Sequence, residues 1–306
     1  MRASMLVALV ALSGTAFFVF EHEALQYAAW DVLILACTTA AYLGMRSHGA
    51  LGQGHWKAFL SGLIAFLFGS LIATVIAIQG GSPTVDTEIS DAITLGGYGF
   101  MFTALILLAR ARTPHGDFSD LIDALIIVGG IGLALWIAWI GPHALGPEMS
   151  ITEQVSAAAF PAFNLVLLTL LIRLTFSPGP RIASYWLLVG AVICSLVASQ
   201  WNLFAFEDGS YRPGHPLEIP RMGAYLLAAL AALHPSMAEL GRTLPDAHRV
   251  LTEPRLLIFG IASLATPLAL LWYDGNWSSD DIAVLIAGAS VIFFLMVVRM
   301  RTLLNN

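Results

Sequence analysis

The stretch Glu218-Ile-Pro-Arg-Met-Gly-Ala-Tyr225 opens an apolar segment, and a similar stretch, Asp91-Ala-Ile-Thr-Leu-Gly-Gly-Tyr98, lies 127 residues earlier. Each copy places an acid, a polar residue and a tyrosine at positions i, i+3 and i+7, with two small residues just before the tyrosine. On an α-helix these three positions share one face. The two copies therefore predict two apolar helices, each with a polar stripe at its N-terminal end.

The composition is that of an integral membrane protein. Of the 306 residues, 58% are hydrophobic and 11% are charged, and the mean hydropathy is +0.80, whereas a soluble domain carries about 25% charged residues. The two cysteines, Cys37 and Cys194, lie inside apolar runs and give neither a disulfide framework nor a metal motif. We interpret both as small buried hydrophobic residues.

Ten apolar segments follow one another along the chain, and a membrane-spanning helix needs roughly 20 such residues. The first segment resembles a signal peptide, but no small-x-small cleavage site precedes Glu21, so we expect it to be retained. The predicted fold is an all-α integral membrane protein with about ten transmembrane helices in a single domain, residues 1–306. The segments are approximately 3–20, 26–45, 57–79, 90–110, 120–141, 153–174, 183–205, 217–234, 254–273 and 280–299.

Charge alternates from one connection to the next and predicts the orientation. One set of connections carries twelve basic residues and six acids; the other carries only Arg212 and Arg221 against 14 acids. Positive charge stays in the cytoplasm, so both termini are expected there. Thirteen of the 14 basic residues are arginine, a bias typical of GC-rich bacterial genomes. We therefore expect a multi-pass protein of the bacterial cytoplasmic (inner) membrane.

Three pairs of similar stretches indicate an internal repeat. Residues 28–31 resemble 158–161, and residues 70–73 resemble 195–198, at offsets of 130 and 125 residues beside the 127 of the first pair. We predict a parallel four-helix repeat, with helices 1–4 in 1–112, helices 5–8 in 119–240 and two appended helices in 254–300. A repeat of four helices keeps its orientation, so its axis runs along the membrane normal.

Polar side chains in the predicted outer leaflet define a candidate cavity for a small or lipid-like ligand. Ionisable residues inside membrane helices are costly and mark functional sites, and a few polar anchors among aromatic walls are typical of a ligand pocket. The alternatives are interfacial anchoring, acids that complement a helix dipole, and polar packing for the two deeper residues, Asp31 and Asn164. The candidates are Asp31, Asp91, Tyr98, Asn164, Gln200, Asn202, Glu218, Arg221 and Tyr225.

Arg221 distinguishes the two copies of the repeated stretch, because Thr94 occupies its position in the first copy. It is one of only two basic residues on the predicted outer side. If the ligand carries a carboxylate, we expect Arg221 to bind it. The alternative is that Arg221 only neutralises Glu218.

Other chemistry is not indicated by the sequence. It contains no phosphate-binding loop, nucleophile elbow or metalloprotease motif, and its eight histidines follow no ligand spacing. We expect no enzyme activity, cofactor, metal or nucleic-acid partner for this chain. His234-Pro235 is expected to cap helix 8. The trio Asp117, Asp120 and Asp123 is interpreted as helix N-terminal charge, with a cation site as the alternative.

Two further runs carry a resemblance to a known family. Asp120-x-x-Asp123-Ala-Leu-Ile-Ile opens helix 5, and Ala232-Leu-His-Pro-Ser-Met237 is the most specific piece at the end of helix 8. With the short basic C-terminal exit, these runs resemble the multi-helix membrane regions of actinobacterial cyclic-di-GMP signalling proteins. Such regions precede cytoplasmic GGDEF and often EAL domains. Neither domain occurs in this sequence, so no catalytic residue is carried over.

The resemblance implies a sensory input module. It would bind a small or lipid-like ligand in its outer half and relay the signal through its last helix to a cytoplasmic cyclic-di-GMP turnover domain in cis. The resemblance also implies a homodimer, since a diguanylate cyclase works as a pair. Two other functions stay open beside it: a small-solute transporter or permease, and a structural subunit of a membrane complex. In all three the lipid bilayer is a partner.

Overall fold

The computed structural model describes residues 3–80, 88–112, 118–137, 151–176, 180–207, 214–242 and 279–304. Within these ranges the chain forms nine α-helices and no strand. They coincide with nine of the ten predicted segments, and the remaining one, 254–273, lies outside the described residues. The helices are α1 (Ala3–Val19), α2 (Glu23–Ser47), α3 (Gly54–Ile78), α4 (Glu88–Arg112), α5 (Phe118–Leu135), α6 (Ile151–Phe176), α7 (Ala183–Glu207), α8 (Glu218–Leu233) and α9 (Ser279–Leu304).

Six of these helices are long and apolar enough to cross a membrane: α2, α3, α4, α6, α7 and α9. The apolar helix α1 is shorter, with 17 residues, and α8 has only 16. The prediction of an all-α, multi-pass membrane protein is therefore confirmed. Within the described residues, length and composition support six spans, and the ten spans stay a prediction.

The chain divides into two compact units. The first comprises Met1–Leu108 and Pro180–Arg242, and the second comprises Ala109–Gly179 and Thr243–Asn306. Helices α1–α3, α7, α8 and most of α4 belong to the first unit, whereas α5, α6 and α9 belong to the second. The predicted repeat stays a prediction, because compact packing does not test internal symmetry.

Helices α2 and α8 form the centre of the first unit. Helix α2 packs on α1, α3 and α8, while α8 packs on α1, α2 and α7. Leu33, Ile34 and Cys37 of α2 are fully buried in this core. Cys37 thus has the buried position that its apolar neighbours predict.

Gly44 allows α2 and α8 to approach to backbone contact. A Cβ atom at this position would overlap the carbonyl group of Ala232. The facing surface of α8 is made of small buried alanines, including Ala228 and Ala229. Small residues of this kind let membrane helices pack closely by van der Waals contact.

Glycines also set the spacing of α3 and α4. A Cβ on Gly62 would lie 2.8 Å from the Met101 side chain, and one on Gly69 would lie 2.5 Å from the Thr94 hydroxyl. In the pair α7 and α8, a Cβ on Gly223 would lie 3.6 Å from the Cys194 sulfur, which is ordinary contact. Gly62 and Gly69 therefore allow α3 and α4 to pack closely.

In the second unit, α5 packs on both α6 and α9. Gly129 of α5 faces Ile292 of α9, and Gly288 of α9 faces Leu133 of α5, where an added Cβ would lie 2.8 Å from the leucine side chain. These contacts are apolar and involve glycines. They set the distance between α5 and α9 but do not fix the register of one helix along the other by polar bonds.

Arg112, the last residue of α4, is buried in the second unit with 1% of its surface exposed. Its Nη1 donates to the carbonyl oxygen of Leu174 at 3.2 Å. Carbonyl groups in the last turn of a helix have no partner in that helix and attract cations. Arg112 therefore caps the C-terminal end of α6.

Candidate functional site

Glu218 and Arg221 form an ion pair in the first turn of α8. Nη1 of Arg221 donates to Oε1 of Glu218 at 3.0 Å and lies 3.0 Å from Oε2. The Glu218 side chain is 2% exposed and that of Arg221 is 31% exposed. Arg221 therefore does neutralise Glu218, and a third of its side chain remains accessible.

Residues of neighbouring elements surround this pair. The Tyr27 side chain of α2 lies close enough to Glu218 and Arg221 to interact with their charges. Gly214, just before α8, has a φ of +89°, and the buried Gln26 side chain packs where a Cβ on Gly214 would lie, at 3.0 Å. Glycine is required here by both its conformation and the space. We refer to the first turn of α8 and these neighbouring residues as the mouth of α8. Its polar side chains are packed against one another.

His215 fixes the entry of the chain into α8. Its Nδ1 accepts a hydrogen bond from the backbone N–H of Leu217 at 3.3 Å, and its carbonyl oxygen accepts from the N–H of Glu218 at 3.0 Å. Its ring packs edge-on against Trp201 of α7, with centroids 6.3 Å apart. Neither residue is among the candidates that the sequence predicts for the cavity.

The tyrosines of the two repeated stretches meet on one ring. Phe66 of α3 packs edge-on against Tyr98 at 5.3 Å and against Tyr225 at 6.2 Å. Trp30 of α2 packs edge-on against Tyr225 at 6.0 Å. We refer to these four rings as the aromatic cluster; it joins α2, α3, α4 and α8.

The small residues before Tyr98 have a specific role in this cluster. A Cβ on Gly97 would lie 2.5 Å from the Phe66 ring, whereas one on Gly96 would meet nothing within 4 Å. Gly97 therefore provides the space that Phe66 occupies. The Tyr98 hydroxyl lies 3.4 Å from Oγ of Ser195, which brings α7 into contact with α4.

Asp31 lies between α2 and α3 with 8% of its surface exposed. Oγ of Ser70 donates to Oδ1 of the carboxylate, and Oγ1 of Thr74 donates to Oδ2 at 2.6 Å. Both carboxylate oxygens are thus bound by hydroxyls of α3. This is a polar contact between helices, which is one of the two roles that the sequence predicts for Asp31.

The remaining candidates take separate places. Asn164 is fully buried in the second unit, and its Nδ2 donates to the carbonyl oxygen of Phe160, one turn earlier in α6, at 2.9 Å. Gln200 is buried in α7, and Asp91 is half-buried in the first turn of α4. Asn202 belongs to α7, but its side chain lies outside the described residues.

His234 caps the short 3-10 helix Pro235–Glu239 that follows α8. Its Nδ1 accepts from the backbone N–H of Ser236 at 3.2 Å, while the backbone N–H of His234 donates to the carbonyl oxygen of Leu230 at 2.9 Å. The predicted capping role of His234 is confirmed. Nδ1 also lies 2.8 Å from the Ser236 hydroxyl, so both the backbone and the side chain of Ser236 contact the His234 ring in this cap.

We refer to residues 233–237 as the 233–237 junction. Hydrogen bonds to this junction connect three other helices to the end of α8. Oγ of Ser236 accepts from the N–H of Ser184 of α7 at 3.1 Å and lies 2.9 Å from its hydroxyl. Trp56 of α3 donates to the carbonyl oxygen of Met237 at 3.3 Å, and His48 after α2 donates to that of Leu233 at 3.1 Å. An open groove of about 550 Å³ lies beside it, lined by Leu43, Arg46, Ser47, His48 and Leu233.

Asp123 of α5 is bound by Arg299 of α9. Nε of Arg299 lies 2.6 Å from Oδ1, and Nη2 lies 3.0 Å from Oδ2. Asp123 is completely buried and the Arg299 side chain is 12% exposed. Asp123 is the sixth residue of α5, and its carboxylate binds α9, a partner that the interpretation as helix N-terminal charge did not include. Asp117 and the side chain of Asp120 lie outside the described residues.

Comparisons of the chain with protein-family models, with curated proteins and with solved structures gave no match. The class of protein rests on its own geometry, which is that of an all-α, multi-pass membrane protein. Four groups of its described polar contacts bear on function: the mouth of α8, the Asp31 contact, the 233–237 junction and the Asp123–Arg299 pair.

Proposed function

We propose that this chain is a sensory module of the bacterial inner membrane, with ten spans and both termini in the cytoplasm. It binds a small or lipid-like carboxylate at the outer end of α8 and relays binding through α9 to a cytoplasmic cyclic-di-GMP turnover domain. The observation that carries this proposal is the partly exposed side chain of Arg221, whose guanidinium is held at the mouth of α8 by the buried Glu218.

The mouth of α8 has the chemistry of a carboxylate site. A guanidinium offers several N–H donors in a plane and can bind a ligand carboxylate while it keeps one bond to Glu218. The first turn of α8 adds the positive end of the helix dipole, which favours an anion. Trp201 on the neighbouring α7 is partly exposed and supplies apolar surface for a ligand tail.

The aromatic cluster offers a route from this mouth into the bundle. Tyr225 follows Arg221 by four residues, so both side chains lie on one face of α8. A ligand that draws Arg221 away from Glu218 shifts this turn, and Tyr225 passes the shift to Phe66 and then to Tyr98 of α4. The ligand changes the bundle only by its differential affinity for two packings.

The contact between α5 and α9 suits an output element. Its glycine contacts are apolar, and the Asp123–Arg299 pair is the polar bond that fixes one register of α9. Breaking and re-forming one such bond gives two discrete arrangements of the last helix. The resemblance of the 233–237 junction and of the start of α5 to cyclic-di-GMP signalling proteins favours a turnover domain as the recipient.

Oleate is a suitable probe, because it joins a carboxylate to an apolar tail. We expect oleate to raise the thermal stability of the purified chain in nanodiscs, by about 2.7 kcal/mol at one hundred times its Kd, and oleyl alcohol to do less. Arg221→Gln should abolish the difference between the two probes. Arg242→Gln is the matched control, since Arg242 forms an exposed i,i+3 pair with Glu239 at the other end of α8.

Equal stabilisation of the Arg221→Gln variant and the wild type, or no effect of any carboxylate from acetate to oleate, would overturn the proposed site. The output is tested separately by the gene downstream of codon 306. A reading frame that continues into a GGDEF or EAL domain supports the relay, and an immediate stop codon contradicts a domain in cis.

A further inference from the structure

Three acids of the described helices are buried: Asp31, Asp123 and Glu218. Asp123 and Glu218 are each paired with a guanidinium, at 2.6 Å and 3.0 Å. The groups that act on Asp31 are two neutral hydroxyls, those of Ser70 and Thr74. Among the described residues, the groups that bind the Asp31 carboxylate therefore carry no positive charge, unlike those that bind Asp123 and Glu218.

The position of Asp31 makes an uncompensated charge costly. It lies eight residues after the start of α2, about 12 Å along the helix axis, in a helix long and apolar enough to span the membrane. An acid at such depth is stable when an opposite charge pairs with it or when it is itself neutral. Membrane helices use acids at this depth to bind protons. Neutrality at Asp31 requires a cation or a proton.

In the part of the chain that the structure describes, the charged and titratable groups of α2 and of the helices packed on it do not supply that charge. Helix α1 has none in its sequence, and α3 has His55 and Lys57 only in its first turn, far along the helix from Ser70 and Thr74. Helix α8 contributes Glu218, Arg221 and Tyr225, of which the first two bind each other. On α2 itself, the titratable residues lie four or more positions from Asp31, and the hydrogen bonds to its carboxylate come from Ser70 and Thr74 of α3; these residues are Glu23, Tyr27, Cys37, Tyr42 and Arg46.

The hydrogen-bond geometry fits a proton better than a metal ion. Each carboxylate oxygen is in direct contact with a hydroxyl, so no ion lies between them. Oγ1 of Thr74 is also 3.3 Å from the carbonyl oxygen of Ser70. The Thr74 hydroxyl can therefore accept a hydrogen bond from a protonated Oδ2 of Asp31. It can donate its own hydrogen to the carbonyl oxygen of Ser70, since a hydroxyl both donates and accepts.

We propose that Asp31, Ser70 and Thr74 form a proton-binding site between α2 and α3. The bound proton keeps the contact neutral, and its release leaves a negative charge between two membrane helices. Proton occupancy then controls how α2 and α3 pair. This inference does not rest on the proposed sensory function, since it requires neither the carboxylate ligand nor α9.

The test is an infrared titration of the full chain in nanodiscs. At neutral pH, we expect Asp31→Asn to remove the C=O stretching band of a protonated carboxyl, and Asp123→Asn to remove carboxylate bands instead. The Asp31 band should disappear as the pH rises. In Ser70→Ala/Thr74→Val it should persist to higher pH, because the two hydroxyls stabilise the ionised form more than the neutral one. Replacing choline by sodium should change none of this.

Labelling of the wild-type chain by dicyclohexylcarbodiimide is an independent measurement that needs no variant. This apolar reagent modifies protonated carboxyls, so Asp31 should be labelled at neutral pH and Asp123 should not. Loss of carboxylate bands in Asp31→Asn at neutral pH would show an ionised Asp31 and overturn the proposal. Loss of the protonated band on adding sodium at constant pH would overturn it in favour of a metal-ion site.

Discussion

Arg299 binds both carboxylate oxygens of Asp123 across 176 residues of sequence. The bidentate arrangement is the strong form of an ion pair, because two parallel N–H···O bonds fix the plane of both groups. It is also a sensitive one, since a buried carboxylate or guanidinium without its partner is strongly destabilising.

Replacing Asp123 by alanine should lower the stability of the second unit by about 3–5 kcal/mol, because it leaves the Arg299 guanidinium unpaired in a buried place. Arg301→Gln is the control, since Arg301 lies on the same helix and is exposed. Thermal unfolding in detergent measures both. The double variant Asp123→Leu/Arg299→Leu should recover most of the loss; if it is as unstable as Asp123→Ala, the ion pair is not the cause.

Gly44→Ala should separate α2 from α8. The added methyl overlaps the Ala232 carbonyl group, and a helix backbone cannot move aside as a side-chain end can. We expect a loss of about 1–3 kcal/mol or more, read by thermal unfolding. Gly99→Ala is the matched control, because Gly99 is also helical and a Cβ there meets nothing within 4 Å. Equal effects of the two variants would contradict the close approach.

Ser236→Ala should weaken the 233–237 junction. It removes the acceptor of the Ser184 N–H and the partner of the Ser184 hydroxyl, and Ser184 is fully buried. The expected cost is about 1–3 kcal/mol, with faster amide hydrogen exchange at Ser184. Thr103→Ala, which removes an exposed hydroxyl bonded within its own helix, should change stability by at most about 0.5 kcal/mol. Unchanged exchange at Ser184 would refute the role of Ser236.

The helices could be predicted because each is a long apolar run bounded by polar residues. The predicted segment 217–234 became α8 (Glu218–Leu233), and 90–110 became α4 (Glu88–Arg112). Differences arise at the ends, where α3 begins at Gly54 rather than at residue 57. The transfer of apolar residues out of water determines where the middle of such a helix lies. Its first and last residues depend on local hydrogen bonds, which a hydropathy value does not describe.

The partners of the polar residues were less predictable. The repeated pattern placed Tyr98 and Tyr225 on equivalent helix faces, but it carried no information that both would pack on Phe66. Asp123 and Arg299 are too far apart in sequence for spacing to connect them. In the 233–237 junction the acceptors are often backbone carbonyl groups, which every residue has and no motif marks.

The short length of α8 has a consequence for the proposed eighth span. Sixteen residues reach about 24 Å, less than the hydrocarbon thickness of about 30 Å. The five residues of the 3-10 helix Pro235–Glu239 add about 10 Å. A longer apolar helix adapts to a thicker bilayer by changing its tilt, but this span ends in a turn bonded to α3 and α7. If α8 forms the proposed eighth span, lipids of different chain length would deform around it, and the thickness of the bilayer would act as a mechanical load on the first unit.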